Sequence, residues 1–348
     1  MKISILLPYK ENFSPNYPGA VSIFLKDTIN LSKFNKKIKI YGNTSYKKKL
    51  LKNYVNLTFN KFFALSSNRS YLDKFIEKEK KSPSSLIEIH NRPDYINELN
   101  KINHNLVLYF HNNPNEMKGS KLPSEKLNLV YKTKKIIFNS NWTKKEFLKN
   151  LKNKYLFNNH FEVIHQSTNK PKINFNKKKN IIIFVGRLNS SKGYDLFGKT
   201  IVKILTKYNN WKSVVIGDEP REKLYFDHVN LNKLGFLNHN KVTDWFQKSS
   251  IAVVCSKWNE PFGRTALEAS SRGCAVIISK KGGLSEAAPY SLKIKNLTTK
   301  SLFNSIESLI KNKKLRLKYQ KQSYKKFYLT NKFIAKKIDF YRDKIIKF

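Results

Sequence analysis

The chain has 348 residues, of which 40% are hydrophobic. Because a soluble domain usually holds about 100–200 residues, this length predicts two domains, and the apolar content excludes a disordered chain. The longest apolar runs, such as 181–185, hold about five residues, whereas a membrane-spanning helix needs about 20, so no span is predicted. The start, MKISILLP, is too short for a signal-peptide core. Together with only two cysteines, Cys255 and Cys274, it predicts a cytoplasmic protein.

The charge balance is the unusual feature of the composition. Lys and Arg number 68 against 24 Asp and Glu, which gives a net charge of +44. Such a balance is typical of proteins with anionic partners, for example nucleic acid, phospholipid or phosphorylated substrates. Because 60 of the 68 cations are Lys, codon bias in an A/T-rich genome explains the excess equally well. Both interpretations are open, and the eight Arg are the more informative cations.

The first half of the chain alternates short apolar runs with helix-length segments. Runs rich in Ile, Val and Leu predict strands at 2–7, 38–41, 85–89, 106–110, 135–138 and 161–164. The intervening segments predict helices at 20–33, 93–103, 124–132 and 141–151. Unbroken apolar strands separated by helices indicate a parallel sheet that is covered on both faces.

The pattern restarts after a polar segment at 169–180, which predicts a linker. Strands are predicted at 181–185, 213–216, 251–255 and 275–278, and helices at 194–207, 241–248, 264–271 and 299–311. The remaining tail, from 309 to 348, has 14 Lys and Arg against two Asp at helical spacing, so it is a basic helical tail. The predicted fold class is α/β, with two successive doubly wound, Rossmann-like domains.

The strongest motif follows the run 251–255 and reads EPFGRTALE from Glu260 to Glu268. Open α/β sheets bind ligands at the carboxyl ends of their strands, and the N–H groups at a helix start suit a phosphate. Carboxylates placed there bind sugar or ribose hydroxyl groups. Spacing alone leaves an alternative open, in which Glu268 is a solvated helix residue and Glu260 a capping acid.

Two glycine-containing loops follow other predicted strands. The first, GRLNSSKG from 186 to 193, carries Arg187 and Lys192, and two cations at a strand end can clamp a diphosphate. The second contains Gly19, which allows a ligand to approach the next helix start, although a turn glycine explains it equally well. Neither loop is a Walker loop or a dinucleotide fingerprint.

Histidines follow two strands of the first half, in the sequences HNRP from His90 and HNNP from His111. They either face the same ligand crevice or start the next helices through Asn and Pro. No His, Cys or Asp grouping has the spacing of a metal site, and Asp-x-Asp is absent from the sequence. We therefore predict no metal ion and no cofactor.

Taken together, these motifs resemble the family-4 retaining glycosyltransferases of the GT-B fold. The resemblance rests on Glu260-x(7)-Glu268 with its internal Pro-Phe-Gly, on GRxxxxKG at 186–193, on GGLSE at 282–286 and on Gly19-Ala20. It is most specific from 181 to 287. His90-Asn91-Arg92-Pro93 and Ser140-Asn141-Trp142 look like bacterial members that build lipopolysaccharide or other surface glycans. One departure is His165-Gln166-Ser167, where the family often has Asn-Gly.

The resemblance implies two Rossmann-like domains facing a cleft and a role for each motif. The implied donor-binding residues are Gly19, Arg187, Lys192, Phe262, Gly263, Arg264 and Glu268, with Glu268 on the ribose and the two cations on the diphosphate. The implied catalytic residues are Glu260, at the transferred sugar, and His111. His90, Asn91 and Arg92 are the candidates on the acceptor side. No residue is assigned to a metal.

The implied activity is retaining, metal-independent transfer from a nucleotide-sugar to a glycan or lipid-linked acceptor. The implied domains are 1–170 on the acceptor side, a linker at 171–180, a nucleotide-sugar domain at 181–325 and a basic helix at 326–348 that crosses back to the first domain. An anionic membrane surface is a further expected partner, and nucleic acid is not. The alternatives are a nucleotide-sugar epimerase of the same fold and a basic nucleic-acid-binding protein, which would need cations clustered on one face.

Overall fold

The computed structural model describes residues 1–59, 66–152 and 154–346. The chain forms two compact units, each of which is an α/β structure. The first unit contains Met1–Ser167 and Asn331–Phe348, and the second contains Thr168–Thr330. The predicted α/β class, with two doubly wound domains, is confirmed by the sheet in each unit.

The first unit is built on a parallel sheet with the strand order β3-β2-β1-β4-β5-β6-β7. The strands are β1 Ile3–Leu6, β2 Ile38–Gly42, β3 Tyr54–Asn56, β4 Leu86–His90, β5 Leu106–Phe110, β6 Lys135–Phe138 and β7 Phe161–Val163. The helices are α1 Ala20–Ile29, α2 Ser67–Lys81, α3 Ile96–Leu99, α4 Pro123–Lys132, α5 Asn141–Leu148 and α12 Asn331–Ile346. Every residue of β1, β4 and β5 is buried, as expected for strands covered on both faces.

The second unit is built on a parallel sheet with the strand order β10-β9-β8-β11-β12-β13. The strands are β8 Lys179–Val185, β9 Lys212–Ile216, β10 Leu231–Lys233, β11 Ser249–Val254, β12 Ala275–Ser279 and β13 Leu292–Ile294. The helices are α6 Tyr194–Lys207, α7 His239–Lys248, α8 Arg264–Ser271, α9 Leu284–Ala287, α10 Thr299–Lys311 and α11 Lys313–Lys325. Its core is formed by β8 and β11 together with the buried faces of α6 and α10.

Three predicted helices of the first unit are shorter than expected, and one of them, predicted at 141–151, ends at Leu148. The helix predicted at 20–33 ends at Ile29, and the next turn is held by the tail: Asp339 accepts bonds from Ser32 Oγ at 2.6 Å and from the Lys33 backbone N–H at 2.8 Å. The segment 93–103 forms a 3₁₀ turn followed by the short α3. There Asn103 donates its side-chain amide to the Ser84 carbonyl at 2.6 Å, so the chain follows this tertiary bond instead of continuing the helix.

The C-terminal helix α12 belongs to the first unit. Its Arg342, only 3% exposed, donates two hydrogen bonds to Glu88 on β4, at 2.7 and 2.8 Å. The second unit extends from Thr168 to Thr330, and β8 begins at Lys179. The predicted linker at 171–180 therefore extends too far towards the C-terminus, because Lys179 is already paired with Ser249 in the sheet.

Candidate functional site

The second unit has a topological switch point between β8 and β11. These two strands are neighbours, and the strand order runs in opposite directions on either side of them. The loops that follow them, 186–193 and 255–263, therefore leave the same edge of the sheet. A crevice at the carboxyl ends of such strands is where open α/β sheets bind ligands.

Backbone hydrogen bonds join these two loops. The carbonyl oxygen of Ser191 accepts the N–H groups of Lys257 at 2.9 Å and Trp258 at 3.1 Å. Gly193 has a φ of +75°, and a Cβ there would lie 1.9 Å from the carbonyl oxygen of Cys255. Only glycine fits this position, because it needs both the left-handed backbone and the close approach.

The joined loops bring Lys192 and Glu260 into direct contact. Lys192 Nζ lies 2.5 Å from Glu260 Oε1 and 4.9 Å from the centroid of the Trp258 ring. The Glu260 carboxylate is buried, whereas the Lys192 side chain is about one quarter exposed, at 25%. A cation with an accessible head group, fixed by a buried acid, is suited to bind an anionic ligand.

A third loop supports the backbone of Glu260. The Gly283 N–H donates to the Glu260 carbonyl oxygen at 2.7 Å, and a Cβ on Gly282 (φ +58°) would lie 2.1 Å from that same oxygen. Gly263, at φ +109°, precedes α8. The Phe262 side chain is buried, so any contact of Phe262 with a ligand would come from its backbone. The glycines of the 282–286 motif thus allow this loop to lie against the backbone of Glu260.

Glu268 is a buried acid that lies against an arginine and a histidine. Its Oε1 lies 2.7 Å from Arg264 Nε and 2.7 Å from His239 Nε2, and only 4% of the residue is exposed. Burial raises the pKa of Glu268, but the charges of Arg264 and His239 and the His239 hydrogen bond outweigh it and lower the pKa to about 2. The interpretation of Glu268 as a solvated helix residue is therefore wrong. Arg264, predicted on the donor, directs its Nε to Glu268.

His239 is a site residue that the sequence analysis missed. It is the first residue of α7, which follows the edge strand β10 and packs against α8. The capping residue Asn238, which accepts the Lys241 N–H at 3.0 Å, was a readable signal for the start of this helix. His239 lies 29 positions before Glu268, and no spacing in the sequence indicates that the two side chains are in contact.

The 186–193 loop, which contains Arg187, contacts the loop at 217–222. Arg187 is exposed, and within the described residues its guanidinium forms no hydrogen bond or ion pair. The Ser190 N–H and hydroxyl both donate to Glu222, and Asn189 donates to Glu219 at 3.1 Å. Two acids thus bind the start of this loop, while the cations Arg187 and Lys192 remain accessible.

In the first unit, His90 and His111 form a buried pair. His90 Nδ1 and His111 Nε2 are 2.8 Å apart, and the His90 ring stacks on Tyr109 with centroids 4.5 Å apart. Burial lowers the pKa of His111 to about 3, and burial with the nearby His111 and Arg342 lowers the pKa of His90 well below its ordinary value. Both rings are therefore neutral at pH 7. His90 is fully buried, and its Nδ1 is directed at His111.

The two residues after His90 have different surroundings. Asn91 is buried with a positive φ of 54°, and its Oδ1 accepts the His111 N–H at 2.7 Å. Asn91 thus holds the backbone of His111. Arg92 is partly exposed, and its guanidinium carbon lies 5.8 Å from the centroid of the Tyr95 ring. Of the three acceptor-side candidates, Arg92 is the one whose side chain reaches solvent.

The surroundings of Gly19 differ from the prediction. Gly19 precedes α1 with an ordinary φ of −74°, and a Cβ there would lie 2.1 Å from Glu11 Oε1. Glu11 accepts the Ser22 N–H at 2.9 Å and its hydroxyl at 2.8 Å. The close neighbour that requires glycine is therefore the Glu11 carboxylate.

Neither a metal cluster nor a membrane span is found among the described residues. No three His, Cys, Asp or Glu side chains in residues 1–59, 66–152 and 154–346 are grouped as metal ligands. No helix in that part of the chain is long and apolar enough to cross a bilayer.

The fold is that of the GT-B glycosyltransferases. The sucrose-phosphate synthase of Thermosynechococcus elongatus superimposes with a TM-score of 0.78 and 14% identity, covering 100% of both chains. Anabaena HepE, determined in complex with UDP and glucose, superimposes with a TM-score of 0.74 and 15% identity, covering 99% of both chains.

Residues 165–326 match the family model of the glycosyl transferases group 1. The matched residues are nearly all in the second unit, and they include Arg187, Lys192, Glu260 and Glu268. The match to this group and the fold confirm the resemblance to glycosyltransferases of the GT-B fold.

Curated relatives match part of the chain. A 42.6 kDa uncharacterized protein of the Klebsiella pneumoniae cps region is 31% identical over 145 residues, 38% of this chain and 38% of that protein. An uncharacterized glycosyltransferase of Methanocaldococcus jannaschii is 32% identical over 134 residues, 35% of this chain and 34% of that protein. The lipopolysaccharide core biosynthesis mannosyltransferase LpsB of Rhizobium meliloti is 29% identical over 111 residues, 29% of this chain and 31% of that protein. The matched part spans only 31–38% of the length of these relatives.

Proposed function

We propose that this protein is a retaining, metal-independent glycosyltransferase that uses a nucleotide-sugar donor. The observation that carries the proposal is the arrangement of Lys192, Glu260 and Glu268 at the switch point of the group 1 domain. It combines an accessible cation for a diphosphate with two buried carboxylates for hydroxyl groups. HepE, which has the same fold, was determined with UDP-glucose.

The main catalytic effect in this proposal is stabilisation of the leaving group. Breaking the bond between the anomeric carbon and the phosphate oxygen places additional negative charge on the diphosphate. Lys192 and Arg187 lie where that charge develops, so they stabilise the transition state more than the ground state. Glu260 holds Lys192 in place and presents its remaining lone pairs to hydroxyls of the transferred sugar.

The transfer step follows from retention without an enzymic nucleophile. The acceptor hydroxyl oxygen attacks the anomeric carbon on the face that the diphosphate leaves. The carbon–oxygen bond to the acceptor forms as the bond to phosphate breaks, and the acceptor proton passes to the leaving phosphate oxygen. No further base is needed in this step, which is consistent with the low pKa of His111 and its neutral ring. His111 contributes a hydrogen bond to the sugar or the acceptor.

The proposed acceptor is a glycan or a lipid-linked saccharide of a surface polysaccharide. Support comes from relatives whose descriptions place them in lipopolysaccharide core synthesis and in a cps region. The metal-independent mechanism is supported by the two cations, which supply the charge that a divalent ion would otherwise provide.

The test is a binding screen followed by a transfer assay. Thermal shifts with UDP, GDP, ADP and their sugar conjugates identify the donor, because a ligand that binds only the folded state stabilises it. Incubation of that donor with and without acceptor then distinguishes the activities. Acceptor-dependent release of nucleoside diphosphate supports transfer, whereas conversion of the donor without acceptor indicates the epimerase. If duplex or single-stranded oligonucleotides bind in place of every nucleotide, the protein is the nucleic-acid-binding alternative.

The protein is further proposed to associate with the inner face of the cytoplasmic membrane. One side of α12 exposes Lys332, Phe333, Lys336, Phe340 and Lys344, which we call the tail stripe. Phe333 and Phe340 are 48% and 51% exposed, and Lys344 Nζ lies 4.4 Å from the Phe340 ring centroid. Lysines near an anionic surface contribute about 1 kcal/mol each, and aromatic rings suit the interface.

Vesicle co-sedimentation with a matched control tests the tail stripe. The variant changes Lys332, Lys336 and Lys344 to Gln, and the control changes the exposed α11 residues Lys313, Lys318 and Lys321 to Gln. Both lose three charges, so both weaken any general attraction equally. The proposal predicts that only the α12 variant loses salt-sensitive binding to anionic vesicles. If the two variants pellet equally with anionic vesicles, the tail stripe has no specific role in membrane binding, and only the general positive charge of the protein contributes.

A further inference from the structure

The surroundings of Glu268 contain a residue with no role in the proposed mechanism. Two nitrogens lie 2.7 Å from the same carboxylate oxygen, Oε1: Arg264 Nε, which forms an ion pair with it, and His239 Nε2, which forms a hydrogen bond with it. Within the described residues, no hydrogen bond to Oε2 is formed. One oxygen of Glu268 is therefore fixed by the protein, and the other keeps its lone pairs for a ligand.

The two donors come from different elements. Arg264 is one helical turn before Glu268 on α8, so their contact is a local pair with i, i+4 spacing. His239 begins α7 and lies beyond β10, and the loop before it is held to the β9 loop by the Gly217 N–H, which donates to Gly235 at 2.8 Å. The contact of His239 with Glu268 therefore fixes the carboxylate relative to the carboxyl ends of the strands. Arg264 alone cannot do this, because it lies on the same helix as Glu268.

The exposure of the three side chains agrees with this arrangement. The Glu268 side chain is 6% exposed and that of Arg264 is 11% exposed, whereas that of His239 is 22% exposed. His239 is thus the member of the group closest to solvent, at the start of a surface helix. To donate to Glu268, its Nε2 must carry a hydrogen, which leaves Nδ1 on the other side of the ring.

We infer that His239 is a positioning residue for the nucleoside hydroxyl groups. It holds Glu268 so that Oε2 accepts from the ribose, and it thereby determines the preference for a ribonucleotide over a 2′-deoxyribonucleotide. This inference rests on the proposed function, in which Glu268 binds the ribose of the donor. A binding site built to accept a hydroxyl hydrogen bond discriminates against the ligand that lacks it, because the buried acceptor is then left unpaired.

The experiment measures two dissociation constants for each variant by titration calorimetry. The probe is whichever of UDP, GDP and ADP binds the wild type most tightly, together with its 2′-deoxy form. The variants are His239→Phe, which keeps a ring but removes the donor, and His239→Gln, which retains an N–H donor. His104→Phe is the control, because His104 is an exposed histidine of the first unit. Circular dichroism and thermal unfolding check that each variant is folded.

The expected result concerns the ratio of the two constants. In the wild type, the deoxy form should bind roughly tenfold or more weakly, since the lost bond involves a charged group. His239→Phe should reduce that ratio to about threefold or less, His239→Gln should restore most of it, and His104→Phe should leave it unchanged. In a Glu268→Gln background, adding His239→Phe should change the ratio no further.

Several other results would overturn the inference, and they do so in different ways. If His239→Phe weakens both nucleotides by the same factor, or changes the ratio in the Glu268→Gln background, His239 does not act through Glu268 on the ribose. If no nucleoside diphosphate binds the wild-type protein, the proposed function itself is wrong, and the inference is wrong with it. Tight binding with an unchanged ratio in His239→Phe contradicts the inference alone.

Discussion

Replacing Lys192 with methionine removes one positive charge and keeps most of the side-chain length. In the structure, Lys192 Nζ lies 2.5 Å from Glu260 Oε1, and about a quarter of the Lys192 side chain, 25%, is exposed to solvent. If Lys192 also contacts the diphosphate, the substitution removes a charge-assisted hydrogen bond of about 1.5–3 kcal/mol from the transition state. That loss corresponds to a decrease in kcat/KM of roughly 10–150-fold.

The same substitution leaves Glu260 without its cation, so folding must be separated from catalysis. Removing one partner of a buried ion pair costs about 3–5 kcal/mol, but the exposure of Lys192 reduces the expected loss of stability to about 1–2 kcal/mol. Kinetics are therefore measured well below the unfolding temperature of the variant. Initial rates of nucleoside diphosphate release, at varied donor concentration, give kcat and KM separately.

The matched control is Lys257→Met in the neighbouring loop. Lys257 Nζ lies 2.6 Å from Asp195 Oδ2, so this change also removes one lysine and breaks one ion pair. Lys257 has no role in the proposed donor site, and its variant should keep wild-type kcat/KM. Wild-type kinetics in Lys192→Met, or an equal loss in Lys257→Met, would refute the reasoning.

Four further predictions concern the two acids, the metal and one glycine. Glu268→Gln should mainly raise KM for the donor, because ribose binding is common to the ground and transition states. Glu260→Gln should mainly lower kcat, because Glu260 is proposed to contact the reacting sugar. If steady-state kinetics show the reverse effects, the two roles are exchanged. Activity should survive excess EDTA, and a loss restored by Mg²⁺ or Mn²⁺ would contradict the leaving-group mechanism. Because the folded-state pKa of Glu268, about 2, is below its usual ~4.3, its ionisation stabilises the fold above pH ~4, and this contribution is lost as the pH falls towards 2. Between pH 5 and 2.5, the free energy of unfolding in urea should accordingly decrease less for Glu268→Gln than for the wild type. An equal decrease in both proteins would exclude the low pKa of Glu268. Gly193→Ala should lower the free energy of unfolding by at least about 1 kcal/mol and weaken nucleotide binding, since a Cβ would clash with Cys255; an unchanged Tm would disprove the close approach.

Long strands and well-spaced helices were predictable from the sequence. The apolar runs at β5 and β6 and the helices α6, α8 and α10 were predicted at the bounds that the structure has. β3, β10 and β13 have three residues each, which is too short for a periodic pattern to appear. The helix α2 was overlooked, although Tyr71, Leu72 and Phe75 have the spacing of a buried helix face.

The site was predictable in its residue types but not in its contacts. Lys192, Glu260 and Glu268 follow from motif spacing because the carboxyl ends of parallel strands meet at one edge. His239, by contrast, reaches Glu268 only because α7 crosses from the far edge strand β10 and packs on α8. The burial of His90 likewise depends on the packing around β4 and β5, and HNRP carries no sign of it. The neighbours of Gly19 were also unpredictable, since Glu11 comes from the preceding loop.

The central claim is that this chain transfers a sugar from a nucleotide-sugar with retention of configuration. The most direct measurement combines mass spectrometry and NMR of the products formed from the identified donor and a saccharide acceptor. Our account predicts that one nucleoside diphosphate is released for each glycosidic bond formed, that the new bond has the anomeric configuration of the donor, and that Lys192→Met forms both products more slowly by the same factor. A product of inverted configuration, or donor consumption without a glycosidic product, would contradict it.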